Sequence, residues 1–88
     1  MHIESVEIFS DETNRAVMRH PGRKFPGILI EGDSLSALCQ QADVACAQIA
    51  RDSAGFDEAN KMRNALWSYL NHYKSTLDEH GIGLPFSS

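Results

Sequence analysis

In the stretch Phe25-Pro26-Gly27-Ile28-Leu29-Ile30-Glu31-Gly32-Asp33-Ser34-Leu35, an apolar run is followed at once by the start of a helix. The run is rich in β-branched residues and lies between two glycines, which predicts a central strand over residues 27–31. Asp33 and Ser34 are residue types whose side chains accept the free amide hydrogens of a first helical turn. A strand that leads directly into a helix predicts a mixed fold.

The segment before this stretch predicts two further strands, over residues 3–9 and 14–19. Both alternate apolar and polar residues, which is typical of strands with two different faces. A polar loop over residues 10–14 separates them and predicts a hairpin. The loop after the hairpin holds two Pro-Gly pairs, Pro21-Gly22 and Pro26-Gly27, which exclude regular structure there.

The segment after the stretch predicts two helices, over residues 34–53 and 57–80, with Gly81 as the stop of the second. The first has an apolar stripe at helical spacing, formed by Leu35, Leu38, Cys39, Ala42, Ala45, Cys46 and Ile49. The second has a stripe formed by Ala59, Met62, Leu66, Tyr69, Leu70, Tyr73 and Leu77. The apolar tail over residues 82–86 is expected to pack back on the body.

These elements predict an α+β fold, in which a small three-stranded antiparallel sheet packs against two helices in the order β-β-β-α-α. With 88 residues, the chain is expected to form a single domain over residues 1–88. A chain this short has a thin core, for which self-association is a common remedy. Asp43 is the only charged residue between residues 34 and 50, so the first helix is expected to be covered on two sides. Together these features predict a homodimer.

Composition narrows the function classes. A net charge of -4 makes nucleic acid an unfavourable partner, because such binding relies on clustered bases. No apolar run approaches the ~20 residues that span a bilayer, and no signal peptide is apparent, so no membrane contact and a cytoplasmic location are expected. Cys39 and Cys46 lie too far apart on the first helix for a disulfide bond and are expected to be buried thiols.

Gly32-Asp33-Ser34-Leu35 matches the signature of the GDSL esterases and lipases, in which the serine is the nucleophile. The alternative is that Asp33 and Ser34 only cap the helix, and we favour it because cap preference alone explains these residues. Neither cysteine has a histidine at ligand spacing, and His2, His20, His72 and His80 are expected at the surface. The sequence therefore predicts no enzyme, no metal site and no cofactor.

Charge is unevenly distributed along the chain. Residues 1–14 carry four acids and no base, whereas residues 15–24 carry four bases and no acid. No structural need explains the four bases, so they predict contacts with an acidic protein partner. Trp67 between Arg63 and Lys74 is a second candidate contact, with burial at the rim of the core as the alternative. The candidate partner-binding residues are Arg15, Arg19, Arg23, Lys24, Arg63, Trp67 and Lys74.

Several short motifs follow one another in a fixed order. They are Val6-Glu7-Ile8-Phe9, residues 14–17, Pro21-Gly22-Arg23, Phe25-Pro26-Gly27, Gly32-Asp33-Ser34-Leu35, Tyr73, Gly81 and Leu84-Pro85. In this order the chain resembles a family of small bacterial proteins known as a domain of unknown function. That resemblance implies no activity.

More distantly, Phe25-Pro26-Gly27, Gly32-Asp33-Ser34-Leu35 and Gly81-Ile82-Gly83-Leu84-Pro85 resemble positions of the HicB antitoxins. This second resemblance implies a compact α+β module that binds and neutralises a small toxin nuclease. The first hypothesis is therefore a non-enzymatic protein-interaction module, antitoxin-like or immunity-like. A small-ligand binder or a hydrolase using Ser34 is the second, and a structural dimer that binds only itself is the third.

Overall fold

The computed structural model describes residues 1–87, and Ser88, the last residue of the predicted domain, lies outside them. The elements follow in the order β1 (Glu7–Glu12), β2 (Arg15–Arg19), β3 (Gly27–Ile30), α1 (Gly32–Ala47) and α2 (Phe56–Glu79). This order confirms the predicted α+β fold. The chain forms two compact units, a sheet unit over Met1–Glu31 and a helical unit from Gly32 onward.

The sheet is antiparallel, with β2 between β1 and β3. β1 continues as far as Glu12, which pairs with Arg15, so Thr13 and Asn14 alone form the turn. The predicted hairpin is confirmed, but its predicted loop over residues 10–14 is too long. Ser10, Asp11 and Glu12 are strand residues here, because a strand with exposed side chains does not require apolar ones.

β1 also begins later than the sequence predicts, at Glu7 rather than at residue 3. Its register against β2 shifts between Ile8 and Ser10, which leaves Phe9 as the extra residue of a β-bulge. Phe9 lies under the guanidinium of Arg19, with 5.7 Å between the guanidinium carbon and the ring centre. The Phe9 ring thus lies on the same face of the sheet as Arg19 and Glu7.

The two faces of the sheet differ in burial. One face carries Ala16, which is the one buried residue of the sheet unit, and the half-buried Met18, together with the exposed Ile8 and Leu29. The other face carries Glu7, Phe9, Arg15, Val17, Arg19, Ile28 and Ile30, and its four apolar side chains are all exposed. A three-stranded sheet is marginal unless a hydrophobic face is covered. The sheet unit therefore offers more apolar surface than it buries.

In the helical unit, α1 and α2 pack around a small core. Cys39 and Leu70 are the largest fully buried side chains. Cys46, seven residues after Cys39 on α1, is also buried. The predicted stripes are thus confirmed at Cys39 and Cys46 of α1 and at Leu70 of α2, whereas Leu38 and Ala45 of the α1 stripe are exposed. Met62 and Tyr69 are 67% and 65% exposed, however, so their placement in the α2 stripe is wrong. The contact with α1 is narrower than the apolar pattern of α2 suggests.

The end of α2 matches its prediction closely. Gly81 adopts a left-handed φ of 67°, and the amide of Ile82 donates to the carbonyl of Leu77 at 2.9 Å. Such a bond across a left-handed glycine terminates a helix. The tail then returns to the helix, where the ring of Phe86 stacks on Tyr73 with 6.4 Å between ring centres. The expectation that the tail packs back is therefore confirmed.

α1 begins at Gly32, two residues before the predicted start, and ends at Ala47 rather than near residue 53. The Asp33 carboxylate accepts a hydrogen bond from the Ser34 amide at 2.8 Å, as expected for a residue that satisfies the first turn. Gly32 itself is buried against the ring of Tyr73. A β-carbon at position 32 would lie closer to that ring than such atoms ever approach.

We predict that Gly32→Ala destabilises the protein by about 1–3 kcal/mol, because the added methyl group must displace Tyr73 and disturb its stacking on Phe86. The free energy of unfolding from urea titration measures the effect. Gly83→Ala is the matched control, since a β-carbon at position 83 meets nothing within 4 Å. Equal stabilities of the two variants would contradict the close packing.

Candidate functional site

A groove of about 560 Å³ lies in the sheet unit, beside the start of β3. Its lining combines apolar side chains with a histidine and two bases: Val6, Met18, His20, Arg23, Lys24, Phe25, Gly27, Ile28 and Leu29. The bases come from the loop between β2 and β3, and the apolar residues come mainly from the strands. We call this feature the basic groove.

The loop that carries the bases is fixed by a tight turn. The amide of Arg23 donates to the carbonyl of His20 at 3.1 Å, and Gly22 has a φ of 81°. Proline followed by a glycine with positive φ is typical of a type II turn. The Nδ1 atom of His20 lies 2.9 Å from the carbonyl oxygen of Pro21. The turn therefore sets the position at which Arg23 and Lys24 enter the groove.

Arg23 and Lys24 differ from the other two bases of their stretch. Within residues 1–87, neither forms an ion pair, and both are exposed. The ammonium of Lys24 lies 5.4 Å from the centre of the Phe25 ring, a cation–π distance. Two unpaired positive charges beside apolar side chains favour a ligand that is anionic and partly apolar.

Arg15 and Arg19 are already paired inside the sheet. Arg19 donates to both carboxylate oxygens of Glu7, at 2.8 and 2.9 Å, and Arg15 donates to Glu12 at 3.0 Å. The hydrogen bond from Arg19 lowers the pKa of Glu7, and the same bond raises the pKa of Arg19. Of the four predicted bases in this stretch, the structure therefore brings only Arg23 and Lys24 together as unpaired charges.

Arg63 and Trp67 lie elsewhere, in the helical unit. The same oxygen of Asp43 accepts from Arg63 Nε at 2.5 Å and from Trp67 Nε1 at 2.9 Å. The hydrogen bond from Arg63 is the main cause that lowers the pKa of Asp43, and the hydrogen bond from Trp67 also lowers it. Trp67 is half-buried. This cluster connects α1 to α2 and supports the alternative in which Trp67 covers the rim of the core.

Lys74 lies near the tail, in a shallow depression lined with Ser75, Asp78, Ile82 and Leu84. Asp43 and Arg63 border a cavity of about 520 Å³, whose lining also includes Cys46, Ile49, Phe56 and Asn60. The three residues all belong to α2, and the predicted contact patch of Arg63, Trp67 and Lys74 stays a prediction.

The cysteines and histidines behave as the sequence predicts. Both thiols are free and buried. Burial is the main cause that raises the pKa of Cys39, and the negative charge of Asp43 raises it further. All four histidines are exposed. Over residues 1–87, no group of three or more histidine, cysteine or acidic side chains is placed to hold a metal ion. In the same residues no helix combines the length and the apolar character that crossing a bilayer requires.

Sequence reasoning missed the apolar part of the basic groove. Val6, Met18 and Leu29 were assigned to strands, with no sign that they meet the two bases in space. The signal that was available is Phe25, an aromatic residue next to Lys24 in a loop otherwise built for a turn. At 73% exposure it is poorly placed for a core residue and well placed for contact with a ligand.

The sequence pattern that defines DUF6959, a family of unknown function, matches residues 1–86 of the chain. The chain belongs to DUF6959. The match spans the strands, the basic groove, both helices and the tail, so both units are part of the family pattern. It confirms the predicted resemblance to a domain of unknown function. No curated protein and no solved structure matches the chain, and the resemblance to HicB antitoxins stays a prediction.

For this DUF6959 chain, we predict that Asp43→Asn destabilises the helical unit, because the ion pair with Arg63 is lost while an amide oxygen still faces Trp67. The difference in the free energy of unfolding between the wild type and Asp43→Asn should be largest at neutral pH. It should shrink as pH falls below 3.8, the ordinary pKa of the carboxyl, since a lowered folded pKa gives stability that acid removes.

Chemical denaturation followed by circular dichroism, at pH 7 and at acidic pH, measures this effect. Glu12→Gln is the control, because it removes an exposed ion pair of a kind that contributes little. If the loss of stability caused by Asp43→Asn were the same at acidic pH, the carboxylate charge of Asp43 would not have the role assigned to it.

Proposed function

We propose that the protein is a non-enzymatic interaction module whose basic groove binds an acidic segment of another polypeptide. The observation that carries this proposal is the pair of unpaired bases, Arg23 and Lys24, beside exposed apolar side chains in a chain that is acidic overall. Charges of opposite sign on the partner would attract it and fix its orientation. The apolar side chains would supply contact area.

The contrast within the basic stretch supports the same proposal. Arg15 and Arg19 are neutralised by glutamates of β1, so they have little charge left for a partner. Arg23 and Lys24 have no such neighbours among the described residues. A loop that only needed to remain hydrated would not require both bases at one groove, and partner contact gives them a use.

A module of this kind is also what the HicB resemblance implies, since such antitoxins act by covering another protein. In this chain the proposal rests on the groove and its charges, with the antitoxin-like or immunity-like role as one form of it. Binding without chemistry fits a site made mainly of two cations and apolar side chains, with no serine, threonine, cysteine or carboxylate in its lining.

We expect Arg23→Glu combined with Lys24→Glu to abolish capture of an acidic partner when the purified protein is used as bait in lysate of its host. Arg15→Glu is the control, because Arg15 is paired outside the groove, and it should retain the partner. Raising the salt concentration should weaken capture by the wild type, since exposed charges are screened.

A partner held equally by the wild type and by the Arg23 and Lys24 variant would place the binding surface elsewhere. A protein that captures nothing and also remains a monomer would end the proposal of an interaction module.

Hydrolysis by Ser34 is the alternative with a direct test. In the structure the Ser34 amide donates to the Asp33 carboxylate within the first turn of α1, so Asp33 satisfies one of the free amides there. We therefore expect the wild type to hydrolyse p-nitrophenyl acetate no faster than Ser34→Ala does. A rate lost specifically in Ser34→Ala, with the fold intact, would favour the hydrolase instead.

A further inference from the structure

The two edges of the sheet are built differently. β1 carries Glu7, Asp11 and Glu12 and is interrupted by the bulge at Phe9. Charges and bulges are the usual means by which an edge strand is kept from pairing with another chain. The sequence of β3 is Gly-Ile-Leu-Ile, with no charge, no proline and no bulge, and its three large side chains are all exposed. Only β3 therefore remains open to a further strand.

The hydrogen bonds of β3 identify which of its groups are open. The amide of Glu31 donates to the carbonyl of Asn14 at 3.4 Å, on the side of β2. In an antiparallel ladder the direction of the backbone groups alternates from one residue to the next. Gly27 and Leu29 therefore face β2, as Glu31 does, whereas Ile28 and Ile30 direct their N–H and C=O groups to the free edge.

These outward groups complement a second copy of the same strand. In an antiparallel pair related by a two-fold axis, Ile28 of one chain lies opposite Ile30 of the other. Both residues then exchange N–H and C=O bonds, and the pairing is isologous. Leu29 meets its own copy at the axis. Among the registers available, this one uses the outward groups of both isoleucines in each chain.

The same register brings opposite charges together. With Ile28 opposite Ile30, Glu31 of one chain lies opposite Gly27 of the other, and Gly27 lines the basic groove with Arg23 and Lys24. Glu31 is exposed and forms no ion pair within residues 1–87. Two such contacts, one at each end of the strand pair, link Glu31 of each chain to the unpaired bases of its partner.

We infer that the acidic group that meets Arg23 and Lys24 is Glu31 of a second copy of this chain, paired edge to edge through β3. The inference rests on the proposed function, because it names the partner of the two bases that line the groove. The result is a continuous sheet of six strands across a two-fold axis. The interface is small, so we expect a dissociation constant on the order of 10 μM.

Removing the outward N–H group of Ile28 tests the strand pairing. Proline is tolerated at an edge position whose N–H faces away from the sheet, so Ile28→Pro should fold. It should raise the dimer dissociation constant about 30-fold, because the symmetric pairing loses two hydrogen bonds. Sedimentation velocity over a concentration series measures the constant, and Ile28→Val, which keeps the amide, should dimerise like the wild type.

Charge exchange tests the contact of Glu31 with the groove independently. Glu31→Lys alone, and Arg23→Glu with Lys24→Glu alone, should each weaken the dimer about 10-fold, since each places like charges together at both ends. An equimolar mixture of the two variants should dimerise again, because every contact in the mixed dimer then joins opposite charges. Native mass spectrometry identifies the mixed dimer by its mass.

A wild type that remains monomeric at about 100 times the expected dissociation constant would overturn the inference. A dimer that resists Ile28→Pro, or variants whose mixture does not restore dimerisation, would overturn it as well. In those cases, loss of a captured protein with Arg23→Glu and Lys24→Glu would still support the proposed function with another occupant. The two proposals therefore fail separately.

Discussion

β2 is the one strand of this sheet with hydrogen-bonded neighbours on both sides, and the features of the sheet unit follow from that placement. Because β2 pairs with β1, Arg15 and Arg19 lie opposite Glu12 and Glu7, and their charges are neutralised across the strands. Because it pairs with β3 on its other side, the outer edge of β3 is left with free backbone groups. The central strand thus determines both where charge remains and where an additional strand could be added.

In the helical unit, the side chain of one acid connects the two helices. Asp43, the single charged side chain in the middle of α1, accepts hydrogen bonds from both Arg63 and Trp67 of α2. This arrangement fixes two large side chains over a core in which few residues are fully buried. It also pairs an arginine and a tryptophan with an acid of the same chain, although both side chains stay partly exposed. The unpaired bases of the loop before β3 consequently remain the strongest candidates for recognition.

The sequence predicted the type and order of all five elements, because alternation, helical stripes, glycines and prolines are local signals. It did not predict the ion pairs of Arg15 and Arg19, since these depend on the register of the hairpin. That register is set by a two-residue turn and a bulge at Phe9, neither of which polarity reveals. The basic groove was missed for the same reason, as it joins side chains from separate strands. In the helical unit, the lone charge of Asp43 on a weakly charged helix was visible, and it was a sign that this residue has a partner.

The attachment of Trp67 to Asp43 has a practical consequence for spectroscopy. The chain contains one tryptophan, and it lies in the helical unit with its indole nitrogen bonded to a carboxylate. Intrinsic fluorescence excited at the red edge of protein absorption therefore reports on the α1–α2 contact and carries no direct signal from the sheet. A fluorescence melting curve would describe one of the two units, and the other would require a chromophore introduced into its strands.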